Sequence, residues 1–130
     1  MCVFCQIVKG DIPSFKLYED DGVLAILDIS QTTKGHTLVM PKKHYDNILE
    51  VDQETLHKVI DVAQVMAKKI TENLDAKGFN ILVNTNEVAG QTVKHMHLHI
   101  IPRFNENDTV EFKFNENKLD LESIKKQILQ

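Results

Sequence analysis

The longest regular pattern lies mid-chain. Leu56, Val59, Ile60, Ala63, Met66, Ala67, Ile70 and Leu74 recur at helical spacing and predict one long amphipathic helix, with Asp52 as its N-cap and Gly78 as its stop. Short apolar runs on either side predict strands over residues 14–18, 23–27, 37–40, 79–84 and 94–101. The first two are joined by the turn Glu19-Asp20-Asp21-Gly22, and Pro41 and Pro102 are read as closing the third and fifth. Residues 4–8 form a helical turn ended by Gly10. Strands with so little helix between them pair mainly as antiparallel neighbours. The expected fold is therefore α+β, an antiparallel sheet of about five strands. The central helix covers one face, packing Leu56, Val59, Ile60, Ala63 and Ile70 against it.

The pattern changes after Phe104. Residues 105–117 are rich in Asn, Glu and Asp, broken by Val110, Phe112 and Phe114, and residues 119–129 have a short amphipathic period through Leu121, Ile124, Ile128 and Leu129. The chain divides into a body, 1–104, and a tail, 105–130, which docks on the body or serves a partner. Composition alters this picture little. The chain is 42% hydrophobic and 26% charged with a net charge of −4, the mix of a globular domain with no basic stripe for nucleic acid. No apolar run approaches the ~20 residues of a membrane span, and the start lacks the basic-then-apolar pattern of a leader. The protein is expected in the cytoplasm, away from membranes, with reduced cysteines.

The chemistry concentrates in His95-Met96-His97-Leu98-His99-Ile100-Ile101. Strand alternation puts the three imidazoles on one face and Met96, Leu98 and Ile100 on the other. Such a cluster suits a nucleophile and proton donor, or a three-histidine metal centre. Cys2-x-x-Cys5 is half of a common zinc pattern, though two such cysteines serve equally as small apolar residues.

This His-φ-His-φ-His-φ-φ pattern, with φ apolar, resembles the signature of the histidine triad family. So do Phe4-x-x-Ile7, Gly10-x-Ile12-Pro13, Leu27-Asp28-Ile29, the run from Gly35-His36 to Lys43-His44, Asn84, and Gly90-Gln91-Thr92-Val93. The resemblance spans residues 2–104 and is nearest the small nucleoside phosphoramidase branch. It implies that His97 attacks the α-phosphorus of a purine nucleotide, giving a nucleotidyl-histidine. The other His97 nitrogen would be held by a backbone carbonyl. It implies a proton-handling or electrostatic role for His99 and a supporting one for His36. Gln91, Thr92 and Asn84 would contact phosphate, Asp28 the ribose, and Phe4, Leu27 and Ile29 the base. Bacterial members imply a structural zinc on Cys2, Cys5, His44 and His95, and the family implies a homodimer through the central helix and the strand from Phe79. The implied substrates are purine nucleoside phosphoramidates or adenylylated amines. Alternatives are dinucleoside polyphosphates, or a nucleotide-binding regulatory module with incidental hydrolysis. The Trp-Pro-Pro-Gly-like ending of the eukaryotic phosphoramidases is absent.

Overall fold

The computed structural model describes residues 2–130. Its elements are α1 (Val3–Lys9), β1 (Lys16–Glu19), β2 (Val23–Leu27), β3 (Thr37–Pro41), α2 (Gln53–Leu74), β4 (Gly78–Val83), β5 (Leu98–Arg103) and α3 (Leu121–Leu129). The five strands form one antiparallel sheet in the order β1-β2-β3-β5-β4. The expected α+β architecture is present. No helix among the described residues is long and apolar enough to cross a membrane.

Both faces of the sheet are covered. Val23, Ala25, Val39, Leu98 and Ile100 pack with Val59, Ala63, Met66, Ala67 and Ile70 of α2. Their neighbours Leu24, Ile26, Leu38 and Met40 pack with Phe4 and Ile7 of α1. Each large apolar side chain so buried contributes roughly 1.5–3 kcal/mol, which outweighs helix propensity in fixing α1 and α2. Burial on both sides is why β2 and β3 read as continuous apolar runs rather than alternating ones.

The structure corrects several boundaries. Asp52 caps α2 as expected, its carboxylate accepting from the Thr55 amide. The helix ends, however, at Asp75, which takes the left-handed conformation at φ 56°, while Gly78 opens β4. Ile60 is 46% exposed and lies outside the sheet contact, whereas Leu56, Val59, Ala63 and Ile70 take part in it. β5 begins at Leu98, not at residue 94, and runs through Pro102. Pairing with β3 stops at Ile100, so Pro102 lies where one side of β5 has no strand neighbour and its missing N–H is tolerated. Gly35 is required twice over: φ is +93°, and a Cβ there would come within 2.6 Å of the Leu74 side chain. The loop before β3 is thereby packed onto the end of α2.

Beyond the body, Arg103 bonds Asp108 and Asn80, and the Thr109 hydroxyl donates to the Thr32 carbonyl. The chain then runs without regular structure to α3, which buries no residue.

Candidate functional site

His95 lies in a bend and His97 in an irregular residue before β5; only His99 is within the strand. The alternation nevertheless persists. Met96, Leu98 and Ile100 enter the α2 core, while the histidines turn toward α1, where the Phe4 ring meets His97 and His95 edge-on at 5.0 and 5.9 Å.

The partners of each imidazole fix its tautomer. His97 Nδ1 lies 2.7 Å from the His95 carbonyl oxygen. A carbonyl only accepts, so the proton is on Nδ1 and Nε2 carries the free lone pair. The ring is 7% exposed, and burial holds its pKa below the usual value, so it is neutral at physiological pH. At the next histidine, the Thr32 amide donates to His36 Nδ1 at 3.4 Å, and His36 Nε2 is 2.9 Å from His99 Nδ1. With His36 Nδ1 accepting, its Nε2–H donates to His99, and the proton of His99 is left on Nε2. Burial, then the neighbouring His97 and His36, lowers the His99 pKa to about 4. His99 is thus a neutral hydrogen-bond donor. Asp28 Oδ2 stands 3.6 Å from His36 Nε2, and its other oxygen accepts from the Ser30 amide.

These groups border a cavity of about 420 Å³, within the range of small-ligand sites. Phe4, Leu27 and Ile29 form part of an apolar side; Asp28, Thr92, His97 and His99 supply polar groups. Ile29 is at the mouth, 87% exposed. Two of the expected phosphate residues are engaged elsewhere. Gln91 is buried, its amide oxygen accepting from the Asn86 amide and its nitrogen donating to the Asp46 and Val93 carbonyls. Asn84 reaches the Gly90 carbonyl at 3.4 Å and does not line the cavity. Both brace the loop that presents Thr92. Sequence reasoning missed Gln31, whose side-chain nitrogen donates to the Asp28 and His36 carbonyls while its oxygen accepts from the Gly35 amide. Its position between Asp28 and His36 was the available signal.

A second cluster lies beside the first. The donor atoms of Cys2, Cys5, His44 and His95 all fall within 4.8 Å of one another. His95 Nδ1 is 3.4 Å from Cys2 Sγ and 3.6 Å from Cys5 Sγ, and Cys5 Sγ is 3.4 Å from His44 Nδ1. Tetrahedral bonds of about 2.0–2.3 Å to N and S place such ligands roughly 3.3–3.8 Å apart, so the residues fit a metal ion. The outward nitrogens agree: His95 Nε2 bonds the Pro41 carbonyl and His44 Nε2 the Asp46 carboxylate, each at 2.8 Å, which frees both Nδ1 atoms to ligate. Cys2 caps α1, its sulfur accepting from the Cys5 amide at 3.3 Å. Burial opposes ionisation of Cys2, but hydrogen bonds led by the Cys5 amide carry its pKa below normal. Burial, then Cys2, pushes Cys5 up.

One five-stranded antiparallel sheet, covered by helices on both faces and carrying histidines at an open cavity, defines a small α+β domain. The chain belongs to the HIT domain family, which matches residues 9–106. It is 44% identical over 105 residues to the adenosine 5′-monophosphoramidase of Schizosaccharomyces pombe, covering 81% of this chain and 76% of that one. A crystal structure of a HIT-family member from Bacillus subtilis superposes at a TM-score of 0.92 with 44% identity, covering 98% of this chain and 94% of the other. A zinc-bound histidine triad family protein from Mycobacterium smegmatis superposes at 0.80 with 42% identity, covering 88% and 84%.

Proposed function

We propose that this protein hydrolyses purine nucleoside 5′-phosphoramidates, or adenylylated amines, in two displacements at the α-phosphorus. The observation that carries this reading is the His97 Nδ1–His95 carbonyl bond, which leaves a neutral nitrogen with a lone pair at the cavity. In the first step His97 Nε2 bonds to phosphorus and the P–N bond to the amine breaks. The departing nitrogen takes its bonding pair and a proton from solvent. In the second, water attacks phosphorus, the Nε2–P bond breaks and returns its pair to His97, and the proton of water is released with the nucleoside monophosphate. Nδ1–H is kept throughout.

His99 donates its Nε2–H to a phosphoryl oxygen, stabilising charge as it develops. Its low pKa favours this electrostatic role over proton donation. Thr92 contacts the phosphate, with Gln91 and Asn84 holding its loop. Asp28 accepts from the ribose hydroxyls, His36 sets the tautomer of His99, and Phe4, Leu27 and Ile29 flank the base. Cys2, Cys5, His44 and His95 would hold a structural zinc ion. Four protein ligands leave it no open position, so its part would be to tie the N-terminus to the catalytic segment.

The same reading makes the protein a cytoplasmic homodimer. β4 is an edge strand with Phe79 and Ile81 42% and 46% exposed, an apolar edge that a second copy would cover. Turnover of adenosine phosphoramidate, a guanosine phosphoramidate and a diadenosine polyphosphate, measured for wild type and His97→Ala, tests the function. Phosphoramidate turnover lost in the variant supports it. Preference for the polyphosphate, or turnover unaffected by the substitution, counts against it.

A further inference from the structure

The chain has two cysteines, and they stand together. Cys2 caps α1 and Cys5 lies one turn on; both are half-buried, and their sulfur atoms fall within 4.8 Å of each other. Three residues across a helical turn place Cα atoms about 5 Å apart, within the roughly 4.4–6.8 Å that a disulfide spans. Cys2 Sγ already accepts from the Cys5 amide at 3.3 Å, so it is folded back over the turn toward Cys5. With no third cysteine in the chain, a disulfide within one molecule has only this pair to join.

The cluster is reached from outside. An open cavity of about 440 Å³, distinct from the one at His97, is lined by Cys2 and His44 together with Asp46 and Lys94, and Cys5 is not part of its wall. A small oxidant entering it meets Cys2 first. Metal binding and a disulfide exclude each other at this pair. As thiolates on one ion the sulfurs stand roughly 3.3–3.8 Å apart, whereas a disulfide draws them to about 2.05 Å and removes the negative charge that held the ion.

We infer that Cys2 and Cys5 are a peroxide-oxidised pair, in which a disulfide between them replaces the zinc ion that the reduced thiols would hold. This rests on the zinc site of the reading above. Cys2 sulfur attacks a peroxide oxygen, and the O–O bond breaks to leave a sulfenic acid and hydroxide. Cys5 sulfur then attacks the Cys2 sulfur, the S–S bond forms and the S–O bond breaks. Two thiolates lose two electrons, and hydrogen peroxide with two protons from solvent becomes two waters. His44 and His95 remain, neutral and each bonded through Nε2, and two such ligands hold the ion far less tightly than four. The exchange frees the His95 imidazole from the N-terminus, beside the carbonyl that holds His97 Nδ1.

The test uses the full-length wild-type protein. Zinc in the reduced protein is measured first. Graded hydrogen peroxide is then added, released zinc is followed with a chromophoric chelator, and the thiols are mapped by differential alkylation and mass spectrometry. The expected result is one zinc ion released for each disulfide formed, the link joining Cys2 to Cys5 within one chain, and both changes reversed by a dithiol reductant with added zinc. Zinc retained with the thiols still reduced, oxidation to sulfinic acid, or a disulfide between two chains overturns the exchange. The zinc content of the reduced protein reads the metal site separately: zinc-loaded protein that forms no such disulfide removes only the exchange, whereas reduced protein that binds no zinc removes both.

Discussion

His36 Nε2 and His99 Nδ1 lie 2.9 Å apart, and the Thr32 amide at His36 Nδ1 decides which of the two rings gives the proton. His36 therefore acts on chemistry through His99. Replacing His36 by Ala frees the His99 tautomer, so that part of the population presents a lone pair, not a proton, to the phosphate. The expected effect is a fall of roughly tenfold in kcat, about 1.4 kcal/mol, with little change in KM. Nitrogen-15 NMR of the imidazoles reads the cause, with the His99 proton on Nε2 in wild type and distributed in the variant. An unchanged tautomer with reduced kcat would remove this role.

The same burial makes His99 a determinant of acid stability. Its pKa is lowered from 6.5 to about 4 in the folded chain, so below 6.5 the unfolded state binds the proton first. Its contribution to stability is complete above pH 6.5 and is lost progressively as pH falls toward 4. Urea unfolding at pH 7 and pH 5 should show a loss of stability that is smaller in His99→Asn than in wild type. An identical loss in both would contradict the assignment.

Zinc should copurify at about one equivalent per chain, with Cys5→Ala losing it and melting lower. Asp46 gives a finer check. It holds His44 from behind, and Asp46→Ala should weaken zinc binding by roughly 10- to 100-fold while leaving all four ligands in place. Competition with a chromophoric chelator measures this. Equal affinity in the two proteins would mean that the His44–Asp46 bond does not orient the ligand.

Gln91 is predicted to matter for shape before chemistry. Its buried amide makes three backbone hydrogen bonds, and Gln91→Ala leaves the Asn86 amide and the Asp46 and Val93 carbonyls without them. Stability should fall by about 2 kcal/mol, and nucleotide affinity with it as the Thr92 loop relaxes. Urea denaturation together with nucleotide titration checks both. Full stability with lost turnover would instead assign Gln91 to the substrate.

The elements that sequence alone revealed are those with a strong period. The α2 stripe and the alternation from Met96 to Ile100 were legible because burial on one face imposes them. The end of α2 was not, because Asp75 takes the left-handed cap conformation that a search for glycine passes over, and Gly78 was the nearer signal. The fifth strand was read as ending before Pro102 because proline was taken as a terminator, although beyond Ile100 one side of β5 has no neighbour to bond. The motif brought His97, His99, His36, Asp28 and Thr92 to one site, and Cys2, Cys5, His44 and His95 to another. It could not reveal that Gln91 turns to backbone groups, since that depends on how residues 86–93 fold. Nor could it show that α3 buries none of its residues, because an amphipathic period marks a face as apolar without saying what covers it.

The most direct measurement is to trap the labelled intermediate on His97. Rapid acid-free quenching of enzyme with a phosphoramidate radiolabelled at the α-phosphorus should leave one nucleoside monophosphate on an imidazole nitrogen, acid-labile and comparatively base-stable. Peptide mapping should find it on His97, at Nε2, and His97→Ala should lower kcat at least a hundredfold, about 2.7 kcal/mol. Label on another side chain, or near-wild-type turnover in His97→Ala, would contradict nucleophilic attack by His97.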